Sequence, residues 1–153
     1  IDWNGYELRS YLGVPNHGPI EPSLQLQLLH AYAACVTYVD VQVGRLLDQL
    51  ERSGKADNTI VCLWSDHGWH LGEQSAWGKM TNFEIATRVP LIIAAPGVEP
   101  ARTSAISELV DLYPTICELA GVAAPKHFID GVSHADVVRG KAGSHHGNSQ
   151  CDP

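Results

Sequence analysis

Asp66 and His67 follow a short apolar run, I-V-C-L-W, and precede Gly68; Lys79 stands thirteen residues after Asp66. A carboxylate oxygen and an imidazole nitrogen are both ligands for divalent ions. Ligand chemistry alone favours zinc or manganese over calcium, which prefers oxygen throughout. The competing reading makes Asp66 the cap of a turn and His67 an ordinary polar loop residue. Lys79 lies in W-G-K, next to Trp77. An ammonium held by an aromatic wall beside a divalent cation makes a pocket for an oxyanion such as sulfate or phosphate. A lysine in general more often sits solvated on the surface. Trp69 and His70 follow the acidic–imidazole pair and either line a substrate pocket or pack the loop. Glu73 either orients Lys79 or a histidine, or is solvated.

These residues need elements to hold them. Thr59 to Trp64 and Val89 to Ala95 are apolar runs of strand length, the second closed by Pro96-Gly97, and both read as buried strands. Chemistry in α/β folds gathers where such strands end. Upstream, Leu28, Tyr32, Cys35, Val39, Val43, Leu46 and Leu50 recur at spacings of three and four, which predicts a long helix with one apolar face packed on a sheet. Pro22-Ser23 can start that helix and Gly54 can end it. Asn82 to Thr87 reads as a short helix. Leu109 to Leu119 reads as another, with Pro114 tolerated only near its first turn. Helices alternating with strands predict a layered α/β arrangement with a mostly parallel sheet.

The 153 residues, 44% of them hydrophobic, are enough for one core and suggest a single unit. A formal charge of −7 argues against a general nucleic-acid or anionic-membrane binder, so any anion must be held locally. No apolar run approaches the roughly 18 residues of a membrane helix, and the first residues lack a signal-peptide layout. Cys35, Cys62 and Cys117 sit in apolar patterns as small hydrophobes, with no C-x-x-C pair. His17 has no partner in sequence, and Asp40 in the long helix reads as paired or exposed. From Gly140 the chain has almost nothing to bury, which predicts a loose tail over 140–153; there His145, His146 and Cys151 read as tail residues rather than as a metal site.

The segment from L-W-S-D-H-G-W-H-L-G-E-Q-S-A-W-G-K through T-R-V-P-L-I-I resembles the second half of the catalytic domain of formylglycine-dependent sulfatases, and within them the iduronate-2-sulfatase group. The resemblance extends to A-Y-A-A-C-V-T-Y-V-D-V-Q-V-G-R-L-L-D-Q-L, to E-L-V-D-L-Y-P-T-I-C-E-L-A-G and to I-D-G-V-S, covering most of residues 1–139. It implies an alkaline-phosphatase-like α/β sandwich, a mixed, mostly parallel sheet between helices, of which residues 1–139 are the later portion. It also implies a calcium ion rather than zinc, with Asp66 and His67 among its ligands and Lys79 holding the sulfate oxygens. Gln74 departs from the family, where related sequences usually carry a histidine.

The family's nucleophile motif, C-x-P-x-R or C-x-A-x-R, does not occur in these residues, nor does its early aspartate pair. The resemblance therefore places the formylglycine nucleophile upstream, outside this chain, and the 153 residues alone are expected to be inactive on sulfate esters. It implies a sulfuric ester hydrolase acting on a sulfated carbohydrate, such as a glycosaminoglycan bearing sulfated uronic acid. Periplasmic, secreted or lysosomal placement comes with the family. Two other readings stand beside it: a phosphodiesterase or phosphonate monoester hydrolase of the same superfamily, and a truncated, non-catalytic anion-binding segment.

Overall fold

The computed structural model describes residues 6–125, 127 and 129–141. In chain order the elements are helices α1 (Tyr6–Arg9) and α2 (Pro22–Arg52), strands β1 (Val61–Trp64), β2 (His70–Leu71) and β3 (Trp77–Gly78), helix α3 (Glu84–Thr87), strand β4 (Leu91–Ala94), and helices α4 (Leu112–Leu119) and α5 (Ala135–Val138). Their contacts divide the chain into two compact units. One contains residues 6–56 and 64–90, the other 57–63 and 91–141. The tail expected over 140–153 lies almost wholly outside the described residues.

In the first unit, α1 lies on β3. Leu8 and Ile20 enclose Trp77, and Val14, Leu24, Leu28 and Leu71 pack around them. The connection from α1 to α2 is irregular, as its prolines and glycines predict, and Arg9 closes it by donating to the carbonyls of Pro15 at 2.5 Å and Gly18 at 2.6 Å. Pro22 opens α2, where its missing N–H costs nothing. The helix stops at Arg52, and Gly54 takes a left-handed φ of 69° just beyond it.

The apolar face predicted for α2 does not pack on a sheet among the described residues. No residue of α2 is buried. Leu24 and Leu28 meet the core around Trp77, but Val39 remains 56% exposed and Leu46 72% exposed. Periodicity shows which side chains share a face; it does not supply the surface that covers them.

β2 and β3 form an antiparallel pair with His70 opposite Gly78 and Leu71 opposite Trp77. The turn between them is tight. Gly72 has φ 112°, and Gln74 and Ser75 adopt φ of 54° and 60°, a region that costs a non-glycine residue about 1–2 kcal/mol. Glu73 steadies this turn by accepting the Leu71 N–H at 2.7 Å.

In the second unit, β1 pairs with β4. Both strands lie within the predicted runs, yet neither is buried: their residues are half-buried or exposed. The described strands thus form two separate pairs. The predicted helix over 109–119 begins as a single 3₁₀ turn, Leu109–Asp111, and continues as α4, with Pro114 buried in its first turn. Asp111 organises this unit. Its Oδ2 accepts the Glu108 N–H at 2.8 Å and contacts His134 Nε2 at 3.0 Å, while its Oδ1 accepts the Val132 N–H at 2.8 Å. Thr115, also buried, accepts the His134 N–H at 2.9 Å. Gly131 passes so close to Val110 that a Cβ there would fall on the Val110 carbonyl oxygen. These contacts give D-L-Y-P-T and D-G-V-S-H a shared structural task.

Candidate functional site

β1 delivers Ser65, Asp66 and His67 at its end. The Ser65 hydroxyl donates to the His67 carbonyl at 2.7 Å, and the His67 N–H donates to Asp66 Oδ1 at 3.1 Å. His67 Nδ1 lies 2.9 Å from the Gly68 carbonyl oxygen. A carbonyl only accepts, so Nδ1 carries the proton. His67 Nε2 then faces Asp66 Oδ2 at 3.4 Å, either as the N–H of an imidazolium or as a lone pair. Ligands at adjacent positions about 2.4 Å from a calcium ion are themselves about 3.4 Å apart. Asp66 and His67 therefore fit as two donors to one divalent ion, with a backbone carbonyl fixing the imidazole as it does for metal-bound histidines. Among the described residues, no group of three histidine, cysteine, aspartate or glutamate side chains completes such a site.

Gly68 is needed for a reason the sequence did not suggest. Its N–H donates to the Ala86 carbonyl at 2.8 Å, and a Cβ would fall on the Ile85 carbonyl oxygen. The requirement is close backbone approach to α3, with no left-handed φ involved.

Lys79 follows β3. Its Nζ lies 5.7 Å from the centroid of the Trp69 ring, and the His67 and Trp69 rings are 6.4 Å apart. Trp69 is thus a neighbour of both His67 and the lysine, and stands where sequence reasoning had drawn an aromatic wall from Trp77. Trp77 is instead buried in the core. The partner of the ammonium is Glu7 of α1, whose Oε1 lies 3.4 Å away. Both side chains are about a quarter exposed. Tyr11 donates to Glu7 Oε1 at 3.2 Å, and Glu7 Oε2 is shielded from solvent without a hydrogen-bond partner among the described residues. Burial, and then the Glu7 carboxylate, push the Tyr11 phenol above its ordinary range.

His70 is fully buried. Its Nε2 lies 2.7 Å from Thr81 Oγ1, its ring meets Phe83 edge-on at 5.7 Å, and Nδ1 has no partner among the described residues. Glu73, with its contact to the Leu71 N–H, serves the turn and not Lys79. His17 and Asp40 are exposed, and His145, His146 and Cys151 lie outside the described residues. Glu7 escaped sequence reasoning because no periodicity links residues so far apart. A cavity of about 890 Å³ in the second unit, lined in part by Asn58, Pro96, Glu99, Arg139 and Lys141, contains none of the predicted site residues.

The sulfatase family model matches residues 4–122. Human iduronate 2-sulfatase is 39% identical over 154 aligned residues, covering 84% of this chain and 28% of the human protein. Among solved structures, a phosphonate monoester hydrolase from Silicibacter pomeroyi superposes with a TM-score of 0.78 at 36% identity, covering 87% of this chain and 26% of that one. A second, described in complex with its substrate D-glucosamine-2-N,6-O-disulfate, gives 0.66 at 40% identity, covering 72% and 23%. The chain therefore spans about a quarter of the length of these relatives, and its α/β fold is that of the alkaline-phosphatase-like sulfatases and phosphonate hydrolases. With the match running through the strand-end pair, the lysine and the Asp111 turn alike, this chain belongs to the sulfatase family.

Proposed function

We propose that these residues are the later part of the catalytic domain of a sulfuric ester hydrolase acting on a sulfated carbohydrate, with a glycosaminoglycan carrying sulfated uronic acid as the favoured substrate class. The observation that carries this reading is the shared neighbour Trp69, which sets an ammonium and a carboxylate–imidazole pair around one aromatic ring. Lys79 would bind the sulfate oxygens and neutralise the charge that gathers on them as the ester bond breaks. Asp66 Oδ2 and His67 Nε2 would hold a calcium ion, which when bound would polarise the same oxygens. Trp69 would wall the pocket, and buried His70, through Thr81, would support the stretch that carries Lys79. The formylglycine nucleophile would come from residues outside this chain.

The likeness to a phosphonate monoester hydrolase supports a second reading, in which the same cationic half-site takes a phosphonate monoester. Kinetics on an active enzyme carrying these residues separate the two. A sulfatase turns over an aryl sulfate and a sulfated oligosaccharide in preference to a phenyl phosphonate ester. Lys79→Ala should lower its turnover by about 100- to 1,000-fold, more than it weakens substrate binding, while Lys55→Ala changes little. Turnover of the Lys79 variant within about threefold of the parent would remove the sulfate pocket from this site.

A further inference from the structure

We propose that Glu7 is a positioning residue for Lys79: it aims the ammonium at the reacting ester and, by sharing its charge, weakens the hold on free sulfate. This rests on the sulfatase reading above. α1 cannot drift from β3, because Leu8 and Trp77, at 2% and 5% exposed, are packed in one core. Glu7 and Lys79 stand directly beside this contact. At 3.4 Å the ion pair is longer than a good charge-assisted hydrogen bond, so the ammonium keeps donors for another oxyanion. The Tyr11 hydroxyl donates to the same oxygen, Oε1, that faces the ammonium, and so fixes the carboxylate at its Lys79 end. Among the described residues the shielded Glu7 Oε2 has no donor, so the partners of the carboxylate, Lys79 and Tyr11, both meet it at Oε1.

A fixed carboxylate beside the lysine acts unequally on the two anions of the reaction. A sulfate monoester carries one negative charge and inorganic sulfate carries two. Glu7 therefore repels the product more than the substrate, while restraining a long side chain that would otherwise sample many rotamers. Binding of a free dianion is given up in exchange for orientation at the transition state.

The test is steady-state kinetics on the active enzyme, using an aryl monosulfate as substrate and inorganic sulfate as inhibitor. In Glu7→Gln, kcat should fall by about tenfold while inhibition by inorganic sulfate becomes about tenfold tighter, the two moving in opposite directions. Glu7→Asp keeps the charge and should recover part of both changes. A purely structural Glu7 would weaken turnover and sulfate binding together, and that result overturns the proposal, as would no change in either. Should Glu7→Gln fail to fold, Glu7→Met, which also removes the charge while filling the same space, must show the same opposed pair. Absence of that pair overturns the proposal as well. An unaffected Lys79→Ala enzyme would instead overturn the sulfate pocket itself, so the two failures are distinguishable.

Discussion

His70 Nε2 lies 2.7 Å from Thr81 Oγ1, joining the start of β2 to the segment just beyond Lys79 from inside the first unit. This bond and the Lys79 carbonyl's acceptance of the Thr81 N–H at 2.8 Å hold both ends of the short stretch that carries the ammonium. His70→Ala should destabilise the chain by about 2–4 kcal/mol, combining a lost buried ring with an unpaired hydroxyl. Thr81→Val should cost about 1 kcal/mol, and the double variant less than the two together. Urea denaturation of the four proteins measures the coupling; strict additivity would show that the bond contributes nothing.

Gly68 leaves no room for a side chain. Gly68→Ala would drive its methyl group into the Ile85 carbonyl and break the hydrogen bond to Ala86, with an expected loss of about 2–4 kcal/mol. Gly97, whose neighbourhood is open but whose φ is 72°, provides a contrasting case: Gly97→Ala should cost only about 1 kcal/mol. Equal losses at the two glycines would contradict the close approach.

Asp111 ties stability to pH. Burial raises its pKa, but the N–H groups of Glu108 and Val132, together with His134, outweigh burial and hold the carboxyl below its usual range. Its stabilisation is therefore complete above the unfolded-chain value, about 3.9, and is lost as pH falls through the lower folded value. Asp111→Asn should lower stability near pH 7 and flatten the acid limb of a stability–pH profile. An unchanged acid limb in the variant would assign that limb to other carboxylates.

Asp66 offers the most direct test of the metal proposal. In an active enzyme carrying this chain, Asp66→Ala should reduce bound calcium and activity together, whereas His145→Ala and His146→Ala should leave both unchanged. Elemental analysis of the purified proteins decides between them. Full calcium occupancy in the Asp66 variant would rule out a ligand role.

Residue type and spacing alone determined the local features of this protein. An apolar run followed by D-H-G placed Asp66 and His67 at a strand end, and Pro22 and Gly54 bracketed α2 because caps and breakers act within a few residues. Residue type alone also singled out Asp66, His67 and Lys79 as candidates for cation and oxyanion chemistry. Tertiary structure decided who meets whom. Glu7 reaches Lys79 only because Leu8 and Trp77 share a core, and His134 reaches Asp111 only because Gly131 lets the chain pass Val110 closely. It also decided what is covered: the stripe of α2 is as regular as predicted and is still largely exposed, and β1 and β4 are less enclosed than their apolar runs imply. Helical periodicity arises from bonds four residues apart and is written into any short window. Long-range pairing and burial depend on which surfaces the folded chain brings together, and no short window contains both partners.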